Sequence, residues 1–212
     1  MTRVYVYRRG EPLAPELAEA LPSWRREVYD RLRNEKARGE SLAAGLLYRS
    51  ALGASGADAM TVPVRLLPAG KPVLDDSGLW FSLSHSDPWV CCAVSDAPVG
   101  VDVQTVRPVR ESMLRRFHPD EQAWFFSLPQ EERRDAFFRL WTRKEAWVKA
   151  ASGERMLTLS EYCVLRDTAQ WRFFDAVPAD GCCLAVCTAA GQGGQKADII
   201  PVGADALTQG LI

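Results

Sequence analysis

The chain has 212 residues, 47% hydrophobic and 25% charged, with 26 basic against 27 acidic side chains and a formal net charge of −1. That is ordinary for a globular protein and long enough for a sizeable core in one or two domains. It excludes a chain that relies on bulk affinity for nucleic acid or a membrane surface, so any anion site must be local.

The opening, MTRVYVYRRG, alternates like a strand and lacks the apolar stretch of a signal peptide. No run approaches the roughly 20 apolar residues that span a bilayer, so the expected location is cytoplasmic, with no membrane partner. Six cysteines stand as Cys91-Cys92, Cys163, Cys182-Cys183 and Cys187, with no CxxC pair and only two histidines. That excludes the common zinc patterns and reads as reduced, buried thiols.

Residues 21–52 read as helical, with a break or bend at Gly39. The first part is rich in arginine and the second, SLAAGLLYRSAL, is apolar enough to be buried. Residues 53–78 read as loops around short strands, including AGKPVL at 69–74. LWFSLSHS, WVCCAVS and VGVDVQ follow, each β-prone and bounded by turn residues, which predicts an antiparallel meander. Residues 108–126 look helical, with HPDEQAWF as a second short helix. Ser127-Leu-Pro-Gln130 matches a capping box opening a long helix that ends near Gly153. EYCVLR, QWRFFDAV and CCLAVCTA read as strands, and residues 203–212 as a loose tail. This order predicts an α+β fold of two similar halves, 1–104 and 105–212, with VCCAV at 90–94 echoed by CCLAV at 182–186.

In GVDVQ, a period of two puts Val99, Val101 and Val103 on one face, with Asp102 and Gln104 on the other. On the helix FFRLWTRKEAWVKA, Glu145 falls inside an apolar arc centred on Trp141, and Lys149 sits at its edge one turn on. Arg139, Arg143, Ala146 and Ala150 fall on the opposite side. A glutamate in a core-facing stripe costs several kcal/mol unless paired or bound to a cation. On the helix alone, an i, i+4 pair of Glu145 with Lys149 explains it equally well. If Asp102 and Glu145 converge, they repel unless a cation separates them. Hard oxygen ligands suit Mg²⁺, with Lys149 beside it as a phosphate contact.

GVDVQ and LWTRKEAWVKA, with FSLSHS at 81–86 and GKP at 70–72, resemble the 4′-phosphopantetheinyl transferases of the broad-specificity, surfactin-synthetase-activating type. The resemblance runs from the opening strand to CCLAVCTA. It implies a pseudo-twofold α+β monomer with its active site between the halves. The implied reaction moves 4′-phosphopantetheine from coenzyme A to a serine of an apo acyl or peptidyl carrier protein, leaving adenosine 3′,5′-bisphosphate. Asp102 and Glu145 are then the Mg²⁺ ligands, with Gln104 secondary. Glu145 becomes the candidate base and Lys149 the group that stabilises the departing phosphate. Ser84 and His85 match positions that hold the 3′-phosphate of coenzyme A, and Lys71 matches a nucleotide-contacting lysine. Arg25 and Ser41 fall near phosphate contacts of the first helical region. Two departures stand out: Gln104 replaces a third acidic residue, and arginines replace lysines in the first helical region.

Two other classes remain open on the residues alone. A Mg²⁺-dependent nuclease or phosphohydrolase also combines acids with a lysine, although its usual acid–lysine spacing is two rather than four. The near-neutral charge also argues against a nucleic-acid partner. A non-catalytic coenzyme A or carrier-protein binding module is the third class, favoured only by Gln104. Carrier docking is expected to use aromatics near the cleft, from among Phe117, Trp124, Phe125 and Phe126.

Overall fold

A computed structural model describes residues 1–212 except 69, 76, 110, 153–156, 192–195 and 210–212, and describes only the backbone of 111. The fold is α+β. Strand β1 (Thr2–Arg8) is followed by a 3₁₀ turn (Pro15–Ala20), α1 (Ser23–Arg31) and α2 (Glu35–Gly53). A small ribbon, β2 (Val64–Leu66) and β3 (Pro72–Leu74), precedes β4 (Trp80–Ser86), β5 (Trp89–Ser95) and β6 (Val99–Thr105). A second 3₁₀ turn (Glu111–Arg116), α3 (Pro119–Ser127) and α4 (Arg133–Ala151) then lead to β7 (Trp171–Ala176), β8 (Cys182–Ala189), β9 (Ala197–Val202) and α5 (Ala204–Thr208).

Besides the ribbon, two sheets form, ordered β4-β5-β1-β9 and β6-β8-β7. Period-two alternation splits each strand between layers. Tyr5, Tyr7, Cys92 and Val94 face α2, while Val4, Val6, Cys91 and Ala93 face the second sheet. There they meet Val99, Val101, Val103, Leu184 and Val186. Ala185 and Cys187 on the far side of β8 pack with α4. The result is helix, sheet, sheet, helix, and the paired cysteines are explained as neighbours pointing into different layers. All six cysteines are free, with Cys91, Cys92, Cys182 and Cys187 buried.

The expected meander stops after β5. β6 pairs antiparallel with β8, with Asp102 opposite Ala185, and not with β5. Its other edge lies against β4, where three serines at alternate positions replace a backbone ladder. The N–H groups of Val101, Val103 and Thr105 donate to Ser82, Ser84 and Ser86 Oγ at 3.1, 3.4 and 3.0 Å. Buried backbone donors need acceptors, and here hydroxyls supply them. The strand expected to close the first half thus lies in the second sheet, and β9 returns to pair parallel with β1 in the first.

Other expectations are corrected too. The first helical region breaks at 32–34 rather than at Gly39, because Asn34 accepts from Ala37 N at 3.0 Å and caps α2. Ser127 lies in the last turn of α3, donating to Trp124 O, and caps nothing. The capping box is instead His118 with Glu121, at the start of α3. α4 begins at Arg133 with no side-chain cap and ends at Ala151, so the expected end near Gly153 falls outside the described residues. EYCVLR forms no strand. Of the expected loose tail, Ala204–Thr208 form α5, with Leu207 buried against the first core, and 210–212 lie outside the described residues.

Candidate functional site

Five contacts of α4 set where its side chains point. Gly100 of β6 touches the helix backbone, since a Cβ there would lie 2.0 Å from Ala146 O and 2.5 Å from Ala150 N. Arg143 forks onto Asp175 at 2.7 and 2.8 Å and donates to Val164 O at 2.9 Å. Trp147 stacks on Tyr162 with centroids 4.9 Å apart. Lys144 and Glu121, each with no exposed side-chain surface, pair at 2.7 Å. Lys144 also donates to Tyr162 O, while Glu121 accepts from Val164 N at 2.6 Å and His118 N at 3.1 Å. Lys71 supplies the fifth contact, donating to Lys149 O and, at 3.3 Å, to Val99 O.

These contacts correct the helical wheel. Arg143, Ala146 and Ala150, expected on the side away from the core, are buried, as are Lys144 and Trp147. Trp141, Glu145, Val148 and Lys149 are only partly covered. They form the cleft side of a helix that is packed almost all round.

Asp102, at 3% exposure, finds its partner there: Lys149 Nζ donates to Asp102 Oδ1 at 2.8 Å and to Val101 O at 3.0 Å. Ser84 Oγ donates to the same Oδ1 at 2.7 Å, and Gln104 Nε2 to Oδ2 at 3.1 Å. Gln104 therefore supports Asp102 through its amide nitrogen. Glu145 makes no hydrogen bond or ion pair among the described residues. Burial, and next the charge of Asp102, push its carboxyl above the usual range, with Lys149 opposing. Two neighbouring carboxylates, one unpartnered and held up by the other, are a donor set that a hard divalent cation fits.

A second set of basic side chains lies in the same cleft. Arg25 Nη2 donates to Ser41 O at 2.9 Å and Ser41 Oγ at 3.1 Å, while its buried Nε has no acceptor among the described residues. Burial lowers its pKa to about 10. His85 lies 3.4 Å from Glu40. Burial lowers the imidazole pKa, Glu40 opposes, and the positive charges of Lys149, Arg25 and Arg9 add to the lowering. Lys71 is brought down to about 8, chiefly by burial. Arg9, whose guanidinium is 3.5 Å from Glu40, belongs to this cluster too. Sequence reasoning missed Arg9 and Glu40; the only available signal was the Arg8-Arg9 pair directly after the first strand.

Of the aromatics expected at a docking surface, Phe117 and Phe125 are 1% exposed and belong to the core, whereas Phe126 is 49% exposed. Trp124 lines a cavity of about 570 Å³ between the α3–α4 turn and β7–β8, away from Asp102. A smaller cavity of about 320 Å³ adjoins Gln104, walled by Arg107, Val109, Phe137, Phe138 and Trp141. Among the described residues no helix is long and apolar enough to cross a membrane.

Residues 98–181, which include Asp102, Glu145 and Lys149, match the model of the 4′-phosphopantetheinyl transferase superfamily. The chain is similar to the 4′-phosphopantetheinyl transferase HetI of Nostoc sp. (39% identity over 136 residues, 57% of each chain). It is also similar to the transferase gsp of Aneurinibacillus migulanus (33% over 102 residues, 48% of this chain and 43% of that one). The transferase Sfp of Bacillus subtilis strain 168 is 26% identical over 169 residues, covering 76% of this chain and 75% of that one. The match spans about half the length of the first two relatives. The chain is thus similar to 4′-phosphopantetheinyl transferases, and the match to the superfamily model is confined to residues 98–181.

Proposed function

We propose that the protein transfers 4′-phosphopantetheine from coenzyme A to a serine of an apo acyl or peptidyl carrier protein. The observation that carries this reading is the meeting of a carboxylate pair with phosphate-binding cations in one cleft. The Asp102–Lys149 ion pair is 2.8 Å long, and unpartnered Glu145 lies within the field of Asp102. His85 lies within the fields of Lys149, Arg25 and Arg9.

The carrier serine oxygen bonds to the pantetheine-bearing phosphorus, and the bond from that phosphorus to the bridging oxygen breaks. Adenosine 3′,5′-bisphosphate leaves with the electron pair. Glu145, directly or through a water, is the candidate acceptor of the serine proton. Lys149 carries a positive charge to the oxygen of the departing phosphate, as such displacements require. Asp102 and Glu145, with Gln104 secondary, would hold Mg²⁺, which when bound neutralises charge on the pyrophosphate. Arg25, His85 and Arg9 hold the 3′-phosphate. Ser84 and Ser41 contribute through the groups they already fix, Asp102 and Arg25, and Lys71 anchors the end of α4 beside the nucleotide.

We propose action as a cytoplasmic monomer, and the near-neutral formal net charge of −1 supports a reading without nucleic acid or membrane. We propose the cavity beside Gln104 as the side from which the carrier approaches, with Arg107 and Trp141 at its wall. The two similar halves would be related by a pseudo-twofold axis. In support, β1, α2, β4, β5 and β6, α4, β7, β8 repeat one order, and their sheets run β4-β5-β1 and β7-β8-β6. On that reading the expected boundary moves from after Gln104 to before Val99.

Incubating the protein with apo carrier, coenzyme A and Mg²⁺ and weighing the intact carrier tests the reading. A gain of the phosphopantetheine mass is expected. Phosphate-ester cleavage without transfer would make the protein a hydrolase, and binding without either would make it a carrier or nucleotide module.

A further inference from the structure

Glu40 is an anomaly in a cleft suited to anions. Its side chain is only 15% exposed, and it stands between Arg9 Nη1 at 3.5 Å and His85 Nδ1 at 3.4 Å. The backbone brings Arg9 there, because Gly39 leaves room for the guanidinium: a Cβ at that position would lie 3.1 Å from Arg9 Nη2. A carboxylate meant to lock an arginine in place makes short, forked hydrogen bonds. The same molecule has that arrangement in Arg143 and Asp175, at 2.7 and 2.8 Å. The contacts of Glu40 are longer, single and directed at two different side chains, the Arg9 guanidinium and the His85 imidazole. On the rim, Asp87 is paired with Lys36 at 2.9 Å and reaches Arg9 at 3.4 Å. Glu40 thus neutralises the cleft without fixing its geometry.

Resting on the coenzyme A reading above, we propose that Glu40 is a built-in counter-anion of the phosphate cleft. It occupies Arg9 and His85 when no ligand is bound and limits how tightly a 3′-phosphate is held. An incoming dianion either displaces Glu40 or sits beside a like charge, and both weaken its binding. The consequence is release: adenosine 3′,5′-bisphosphate, which keeps the 3′-phosphate after the reaction, is not trapped by the cations that recruited the substrate. A ligand ending in a 3′-hydroxyl gains nothing from those cations, so Glu40 leaves its affinity alone.

Calorimetric titration of adenosine 3′,5′-bisphosphate, coenzyme A and 3′-dephospho-coenzyme A into wild type, Glu40→Gln and Glu40→Asp tests this. Removing one partly screened charge beside the phosphate should tighten binding of the two 3′-phosphorylated ligands by Glu40→Gln roughly tenfold. Binding of 3′-dephospho-coenzyme A should be unchanged. Glu40→Asp keeps the charge but withdraws it by one methylene, and should fall between the two. Unchanged or weaker binding of adenosine 3′,5′-bisphosphate by Glu40→Gln, with wild-type binding intact, overturns this proposal alone and makes Glu40 an orienting residue. A wild-type protein that binds none of the three overturns the coenzyme A reading and this proposal with it.

Discussion

Replacing Gly100 by alanine should damage both stability and chemistry, because the one added carbon strikes backbone. Its nearest neighbours would be Ala146 O at 2.0 Å and Ala150 N at 2.5 Å, against ordinary contact at about 3.4 Å. Helix α4 must therefore retreat by about 1.4 Å, and no rotamer change relieves the clash. Overpacking of this kind costs about 1–3 kcal/mol. At the upper end, that is roughly 6–12 °C in melting temperature for a chain of this size. Glu145 and Lys149 ride on the same turns of α4, and displacements near 1 Å cost about a hundredfold in rate. Thermal melts and the transfer rate at saturating coenzyme A measure the two effects. Adding Ala146→Gly should rescue neither, since the clashing atoms are main chain. A Gly100→Ala protein with wild-type melting and turnover would refute the placement of α4 on β6.

Two further outcomes are expected. Lys144→Met leaves Glu121 charged and fully buried, which should cost about 3–5 kcal/mol, while the double variant with Glu121→Gln should recover part of it; urea midpoints decide, and equal losses would contradict the buried pair. Glu145 has a folded pKa raised above the usual carboxylate value, so its contribution to stability is present below the ordinary value near 4.5 and lost as pH rises through the folded pKa. Glu145→Gln should therefore melt close to wild type at pH 4 and above it at pH 7, and parallel melting curves across that range would contradict the burial of this carboxylate beside Asp102.

What could be read from the sequence follows the range of the interactions. The valine–aspartate alternation of β6 was legible because a strand's period is local, and it led to Asp102, Glu145 and Lys149 together. The pairing of β6 was not legible, since β8 lies some eighty residues on and the tie to β4 runs through Ser82, Ser84 and Ser86. β9, with a proline near its end, has too weak a pattern to suggest a parallel partner of β1. The capping box went unread at α3 because histidine is an unusual cap and Ser127-Leu-Pro-Gln offered a commoner pattern. On α4 the wheel failed for a physical reason: a helix packed on nearly every side has no single apolar arc. Lys144, adjacent to Glu145, proved to be a structural cation with a buried partner, which spacing cannot distinguish from a catalytic one. Arg9 and Glu40 meet only because β1 and α2 are brought together by the fold.

Magnesium dependence of phosphopantetheine transfer bears most directly on the joint role of Asp102 and Glu145. Chelation should abolish transfer, and excess Mg²⁺ should restore wild type fully. Asp102→Ala and Glu145→Gln should stay orders of magnitude slower at any Mg²⁺ concentration, while still binding coenzyme A through Arg25 and His85. Gln104→Glu should lower the concentration needed for half-maximal rate, since a carboxylate replaces an amide beside Asp102. Near-normal turnover by Glu145→Gln, or transfer indifferent to chelation, would contradict the assignment of this site.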